Sequence, residues 1–404
     1  KTTGFTAVSG VGYFVNTTSG AITVTLPASP SAGDVVAVSD YAGTADTNNI
    51  TIGRNSSNIN GAAADQIISY VNSAVTLVYV DGTQGWKATD TSNLSDIALQ
   101  PEYIVATGGT ETTCGDYKIH RFTGPGTFCV SSVGNPTGST TVDYLVVAGG
   151  AGTSTTSNNG WAGGGGAGGY RESPGTASGY TASPLGAAPA TAITTTVQGY
   201  PIVIGGGGPN DANGSDSTAL GITATGGGKG GNYTGNGTSG GSGGGGGGDI
   251  VTSGGAGNTP PVSPAQGQPG GAGYDPAPEG GGGGGGAISA GSNGSPSGAG
   301  AGGNGANTGI LGSSPLAPST GTTGPAPGRY FAGGGGGGNG RQDTGGSSTV
   351  TGGFGGGGTG GSSTPTPSTI SGTPGTINTG GGGGAVGGTT GGSGIVVIRY
   401  KFQN

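Results

Sequence analysis

One short stretch of this chain matches a catalytic pattern. Residues 240–244, GGSGG, fit the nucleophile elbow, in which a strand-to-helix turn exposes a serine for acyl transfer. Such a serine needs a histidine base, and the only histidine is His120 in the segment KIHRF. The apolar and polar residues of that segment alternate, which is typical of a strand and predicts a structural histidine. We therefore expect no catalytic site.

The other catalytic and binding motifs are incomplete, because residues that their chemistry requires are missing. GGGKGG lacks the Ser or Thr of a phosphate loop, and GGGGGDIV is one copy of a calcium repeat that works only in tandem. Matches to G-x-G-x-x-G arise by chance in so glycine-rich a chain, and none follows a strand and opens a helix. The sequence predicts a protein that is not an enzyme and has no metal ion and no cofactor.

Cys114 and Cys129 are the only cysteines. In an extracellular protein they would suggest a disulfide worth about 3 kcal/mol. If TGPG at 123–126 is the turn of a straight hairpin, Cys129 lies opposite His120 and Cys114 lies roughly 20 Å further along. A disulfide requires Cα atoms within about 7 Å. The bond forms only if GGTETTCGD folds back over the hairpin, so the sequence leaves bonded and free thiols both open.

Aromatic and charged side chains in irregular inserts are the candidates for binding. Flat aromatic faces beside polar groups give large contact areas with sugars or surface proteins at low entropy cost. The candidates are Trp161, Tyr170, Arg171, Tyr180, Tyr233, Tyr274, Asp275, Arg341 and Phe354. Tyr330 and Phe331 directly precede a glycine block, and for them we predict packing instead.

Charge and the length of apolar runs argue against nucleic-acid binding and membrane insertion. Eighteen acidic and eleven basic residues give a net charge of −7, and the basic residues are scattered singly. Nucleic-acid binding needs clustered positive charge and is not expected. The longest apolar runs, YLVVA and IVVI, are far shorter than the roughly 20 residues that span a bilayer, so we expect no membrane insertion.

Because the chain starts at Lys1 and contains no Met, we expect a processed or truncated piece.

The elements that must position these residues are strands. Short alternating segments separated by turn residues predict an all-β module at 1–95. Its core is small, and trimerisation or stacking would help to bury it. A linker at 96–102 and a small β unit at 103–148 follow. No segment has the pattern of an α-helix.

Residues 149–404 form a glycine-rich region, which holds most of the 107 glycines. Runs such as Gly280–Gly286 have too few side chains for an ordinary core, but they suit extended polyglycine II helices that bond backbone to backbone. The apolar strands Tyr144–Ala148 and 394–402 bracket the region like a clasp. We therefore predict packed polyglycine II helices held by β-strands, with valine at Gly283 strongly destabilising.

The residues quoted next resemble a known family. DYKIHRFTGPGTFCV, VDYLVVAGG, YPIVIGGGG, YFAGGGGGG and GGSGIVVIRYK resemble the glycine-rich domain at the C-termini of phage tail fibres and tail-fibre adhesins, over about residues 103–404. YFVNTTSGAITVTLPASPSAGDVVAVSD and VTLVYVDGTQGWK resemble the β-module that precedes such domains in marine phages of cyanobacteria and similar hosts.

This resemblance implies a homotrimeric fibre shaft and a tip whose loops bind a host cell-surface receptor, a glycan or an outer-membrane protein. It also implies an extracellular location on the virion, beside other tail-fibre proteins. The alternative is a structural subunit of an extracellular bacterial filament or surface layer. Ice binding is a third possibility, which the long irregular inserts oppose.

Overall fold

The computed structural model describes residues 1–91, 98–155, 161–275, 279–340, 349–362 and 370–404. It confirms the all-β fold class. In these ranges the helical elements are the single 3₁₀ turns Pro184–Gly186 and Ala317–Ser319, and no helix is long and apolar enough to cross a membrane. Two compact units are present: an N-terminal unit of residues 1–102 with 135–138, and a glycine-rich unit of residues 103–134 with 139–404.

The N-terminal unit has two sheets over one core. Their strand orders are β1-β3-β5-β6-β9 and β2-β4-β7-β8. Alternate side chains point inward, as in β4, where Val36 and Val38 are buried beside Leu77 and Trp86. The strands are β1 Phe5–Thr6, β2 Val11–Val15, β3 Ile22–Thr25, β4 Val35–Asp40, β5 Ile50–Gly53, β6 Gln66–Ile68, β7 Ala74–Asp81, β8 Gly85–Thr91 and β9 Ala98–Leu99.

The glycine-rich unit contains thirteen strands in its described residues. Its largest sheet has the order β11-β12-β22-β14-β15, with β16 also paired to β14, and β10-β13-β17 form a second sheet. The strands are β10 Val105–Thr107, β11 Thr110–Cys114, β12 Tyr117–Phe122, β13 Gly126–Ser132, β14 Thr141–Val147, β15 Tyr170–Glu172, β16 Ile193–Thr194, β17 Gly199–Ile202, β18 Ser217–Ala219, β19 Ile222–Ala224, β20 Ala306–Thr308, β21 Arg329–Phe331 and β22 Ile395–Lys401.

Strands β14 and β22 confirm the predicted clasp. They pair antiparallel, with Leu145 opposite Val397, and β22 also pairs with β12 on its other edge. Every residue from Ile395 to Tyr400 is buried. β14 continues directly into the first glycine segment, and the last glycine segment leads into β22. The strands that open and close the region are therefore neighbours in one sheet.

The straight hairpin considered for the turn at 123–126 does not form. β12 and β13 do not pair with each other, because β12 lies between β11 and β22, whereas β13 lies between β10 and β17. Cys129 accordingly lies opposite Thr107 and Gly199 instead of His120. Of the two alternatives left open for Cys114 and Cys129, the structure has both as free thiols.

The run Gly281–Gly286 has the hydrogen bonding of a polyglycine II helix at the centre of a packed array. Its successive N–H groups donate in turn to three different segments, and this order of partner segments repeats every third residue. The N···O distances are 2.8–3.0 Å. Its carbonyls accept from three further segments in the same order, also at 2.8–3.0 Å. The N–H groups donate to carbonyls in residues 335–338, 243–246 and 289–292. The carbonyls accept from N–H groups in residues 300–303, 164–167 and 268–271. Six neighbours thus satisfy every backbone group of these residues.

Short contacts between backbones explain why glycine is required. A Cβ placed on Gly283 would lie 2.0 Å from the carbonyl oxygen of Ala301, and one on Gly284 would lie 2.0 Å from that of Gly165. At such distances a methyl group cannot fit without displacing a whole segment. Tyr330 and Phe331, which precede one of these runs, are buried as predicted.

His120 is a buried structural residue of the large sheet. Its Nδ1 donates to the carbonyl of Gly108 at 2.8 Å, so its Nε2 accepts from the hydroxyl of Tyr400 at 3.1 Å. The ring also contacts Phe128 edge to face. Burial lowers the pKa of His120, because the low-dielectric interior penalises the imidazolium.

We expect this histidine to make the glycine-rich unit sensitive to acid. Below about pH 6.5 the unfolded chain binds a proton at His120 that the folded chain does not bind, until the pH reaches the lowered folded pKa. In that window the free energy of unfolding should fall by up to about 1.4 kcal/mol per pH unit. Urea denaturation of the wild type and His120→Gln from pH 7.5 to 5 measures the effect. Parallel pH profiles for the two proteins would contradict it.

Candidate functional site

The glycine segments of the glycine-rich unit run between two ends. One, the sheet end, is where segments meet the strands: residue 148 follows β14, residue 169 precedes β15 and residue 394 precedes β22. The other, the far end, is where the same segments turn back through inserts. Because the segments pack side by side, inserts that are distant in sequence become neighbours at the far end.

Four sequence candidates meet at the far end. The N–H of Gly248 donates to the carbonyl of Trp161 at 2.8 Å, and the next N–H, of Asp249, donates to the carbonyl of Tyr233 at 2.9 Å. Tyr274 and Asp275 lie on the next turn, where the N–H of Tyr274 donates to the carbonyl of Gly280 at 2.9 Å. A Cβ on Gly248 would lie 2.6 Å from the backbone carbon of Gly280, so these turns are adjacent.

We define the far-end surface by the residues that these turns present. It comprises Trp161, Tyr233, Asp249, Ile250, Val251, Tyr274 and Asp275. Tyr233, Tyr274 and Asp275 are partly exposed, so their rings and carboxylate are available to a partner. The indole of Trp161 is partly buried against the backbone of Gly340, and its Nε1 has no hydrogen-bond acceptor among the described residues.

Two aliphatic residues of this surface were missed by sequence reasoning. Ile250 and Val251 are 48% and 76% exposed, at the turn that follows the run Gly243–Gly248. Sequence offered one signal, an apolar pair where a glycine run ends, but apolar residues beside glycine runs elsewhere in the chain are packing anchors.

The structure places three other candidates at the sheet end. Tyr170 is 1% exposed and donates from its hydroxyl to Glu172, so the prediction that it contacts a receptor is wrong. The reason is that β15 pairs with β14 and turns this ring into the core, where burial raises the pKa of Tyr170 well above its ordinary value. Arg171, on the same strand, and the half-buried Tyr180 also lie away from the far end.

Phe354, a further candidate, lies away from the far-end surface. Phe354 is 47% exposed, but its ring packs on Tyr330 at a centroid distance of 5.8 Å, near the sheet end. Arg341 lies outside the described residues.

The arrangement suits binding through contact area. In the described residues no group of His, Cys, Asp and Glu could hold a metal ion. Ser242, the serine of the GGSGG match, is buried and donates to the carbonyl of Gly286. The far-end surface instead offers rings, exposed aliphatic groups and carboxylates, which suit a partner with both apolar patches and hydrogen-bond donors.

Fold and surface together define an all-β protein built on a scaffold of packed glycine helices. A family model described as "Glycine-rich domain" matches residues 122–401, so the chain belongs to the glycine-rich domain family. This confirms the glycine-rich part of the resemblance seen in the sequence. No curated protein matches the chain.

Proposed function

We propose that this protein is the distal, receptor-binding segment of a phage tail fibre, which attaches the virion to its host cell through loops on a glycine-rich scaffold. The observation that carries this proposal is the far-end surface, where aromatic, aliphatic and acidic side chains from separate inserts meet. Binding residues are commonly carried by loops on a rigid scaffold. The resemblance of residues 103–404 to tail-fibre domains supports the same function.

The chemistry of the scaffold favours a tip with variable loops. Packed glycine segments have almost no side chains to exchange, so a change in an insert leaves the backbone array intact. Backbone hydrogen bonds join each segment to its neighbours, which fixes the positions of the turns before a receptor arrives. Such preorganisation reduces the entropy lost on binding.

The N-terminal unit supports assembly into a shaft of several copies, and the tail-fibre resemblance implies three. Phe14 is 67% exposed on the outer face of the sheet β2-β4-β7-β8, where it lines a shallow depression together with residues that include Gly12, Ala37 and Thr76. The residues that line this depression are uncharged. Copies with a net charge of −7 can therefore meet on this face without bringing like charges together in the interface.

The alternative, a filament or surface-layer subunit, requires glycine segments that stack on other copies. Several outward N–H groups of the array are instead capped within the molecule. Asn236 accepts from the N–H of Ser253 and Asn293 from that of Ala272, both at 2.9 Å, and Ser289 accepts from that of Asn304 at 2.7 Å. Capped donors discourage pairing with another chain, as protected sheet edges do. The caps favour the tip over the filament.

Binding of the fluorescently labelled 404-residue chain to a panel of marine cyanobacterial strains tests the function. We expect saturable binding to at least one strain, and competition with phage adsorption. The double variant Tyr233→Ala, Tyr274→Ala should bind at least about 10-fold more weakly, since aromatic residues dominate contact energies. Phe354→Ala, an exposed aromatic away from the far end, is the matched control and should stay within about twofold.

Two outcomes would count against the proposal. If the double variant binds like the wild type, the far-end surface is not the contact. If analytical ultracentrifugation shows open-ended polymers that grow with concentration, the filament alternative gains; a closed oligomer favours the fibre.

A further inference from the structure

The thiol of Cys114 lies in a small polar niche at the end of β11. Its Sγ is 3.4 Å from the hydroxyl oxygen of Ser313, and the side chain is partly exposed. Gly312 forms the wall of the niche with a φ of +51°. A Cβ at Gly312 would lie 2.8 Å from Sγ and 3.1 Å from Nη1 of Arg399, so the absence of a side chain leaves room for the thiol beside the guanidinium.

Arg399 is the second observation, and it points to an anion. The side chain is 5% exposed, and its Nη1 donates to the carbonyl of Ile310 at 3.0 Å, whereas its buried Nε has no acceptor among the described residues. Its guanidinium lies over the ring of Tyr117 at 4.6 Å and near that of Tyr180 at 5.9 Å. A buried cation with an unused donor lacks a full anionic partner.

The nearest carboxylate is engaged elsewhere. Asp143 lies opposite Arg399 in the sheet, but its two oxygens accept from the hydroxyls of Ser173 and Ser178 at 2.8 and 2.7 Å. Asp143 still acts on the guanidinium as a charge, and the thiolate form of Cys114 is a second negative group beside it. Hydrogen bonds from Ser313, and the charge of Arg399, lower the pKa of the Cys114 thiol, although partial burial opposes them.

We propose that Cys114 is a reactive thiolate and a modification site for small disulfides that carry carboxylates. The sulfur of Cys114 attacks one sulfur of the reagent, the reagent's S–S bond breaks, and its other half leaves as a thiolate. A mixed disulfide remains on Cys114, and no further oxidant is needed. Arg399 and Ser313 favour the thiolate form of the attacking sulfur, and the positive charge attracts the carboxylate reagent.

Cys129 provides the internal control, because it is the more exposed thiol of the same protein. Cys129→Ser and Cys114→Ser variants of the 404-residue chain are reacted with dithiobis(nitrobenzoate), an anionic disulfide, from pH 6 to 9, and release of the coloured thiolate is followed. At pH 6.5 we expect Cys114 to react at least about 10-fold faster than Cys129, despite its lower exposure. With neutral dithiodipyridine the ratio should be smaller.

A further variant keeps the test independent of folding. Ser313 lies on an exposed turn, so Ser313→Ala in the Cys129→Ser background should fold, slow the reaction at pH 6.5 at least about threefold and move its pH midpoint upward. Ser297→Ala, an exposed serine of another turn, should change neither. Equal rates for the two thiols at pH 6.5, or a faster Cys129, would overturn the proposal, as would an unchanged pH profile in Ser313→Ala.

Discussion

Gly283→Ala should destabilise the glycine-rich unit by about 3 kcal/mol or more, although it adds a single methyl group. The new Cβ would lie 2.0 Å from the carbonyl oxygen of Ala301, so one segment must move. Movement strains the bonds of Gly283 to Ser292 and of Gly300 to Gly281. Each bond contributes about 1 kcal/mol net, and overpacking costs about 1–3 kcal/mol more.

Gly206→Ala is the matched control for this experiment. Gly206 belongs to another glycine run, Gly205–Gly208, but a Cβ there would have nothing within 4 Å. Alanine restricts the unfolded chain, so the control should be neutral or more stable by up to about 1 kcal/mol. Urea denaturation of the three proteins measures the difference. If both variants keep wild-type stability, the packed-helix account of the glycine runs fails.

The sequence was sufficient to predict the packing of the glycine runs but not their arrangement. Low charge, few side chains and the bracketing strands Tyr144–Ala148 and 394–402 together predict ordered polyglycine II helices. Which run lies beside which was not predictable, because glycine faces are identical and carry no signal for a particular neighbour. The six neighbours of Gly281–Gly286 come from segments scattered between residues 164 and 338, and only the folded chain reveals them.

The same reasoning explains which binding candidates were misplaced. Tyr170 looks like part of an insert because glycines precede it, yet three residues of pairing between β15 and β14 turn it inward. Ile250 and Val251 look like a packing anchor, yet their turn lies at the far end, away from any sheet. Trp161, Tyr233 and Tyr274 were chosen as candidates because they stand in long polar inserts, but their proximity depends on the order of the segments.

A substitution in the clasp should destabilise the sheet and the glycine segments together. Val397 is fully buried at the centre of β22, between Arg121 of β12 and Leu145 of β14. Val397→Asp places an unpaired carboxylate in that core and should cost about 3–5 kcal/mol. We expect the glycine segments to lose stability together with the sheet, because backbone hydrogen bonds between glycines barely offset the entropy of ordering them.

Hydrogen exchange distinguishes a cooperative clasp from a local one. In Val397→Asp, the amides of Gly281–Gly286 should lose protection by the same factor as those of β22, since one opening exposes both. Val197→Asp introduces the same charge at a 61% exposed position of the same unit and should leave both sets protected. If the glycine amides of Val397→Asp stay protected while those of β22 exchange, the array is stable by itself. The strands would then position the array without stabilising it, and the glycine runs would need no clasp to fold.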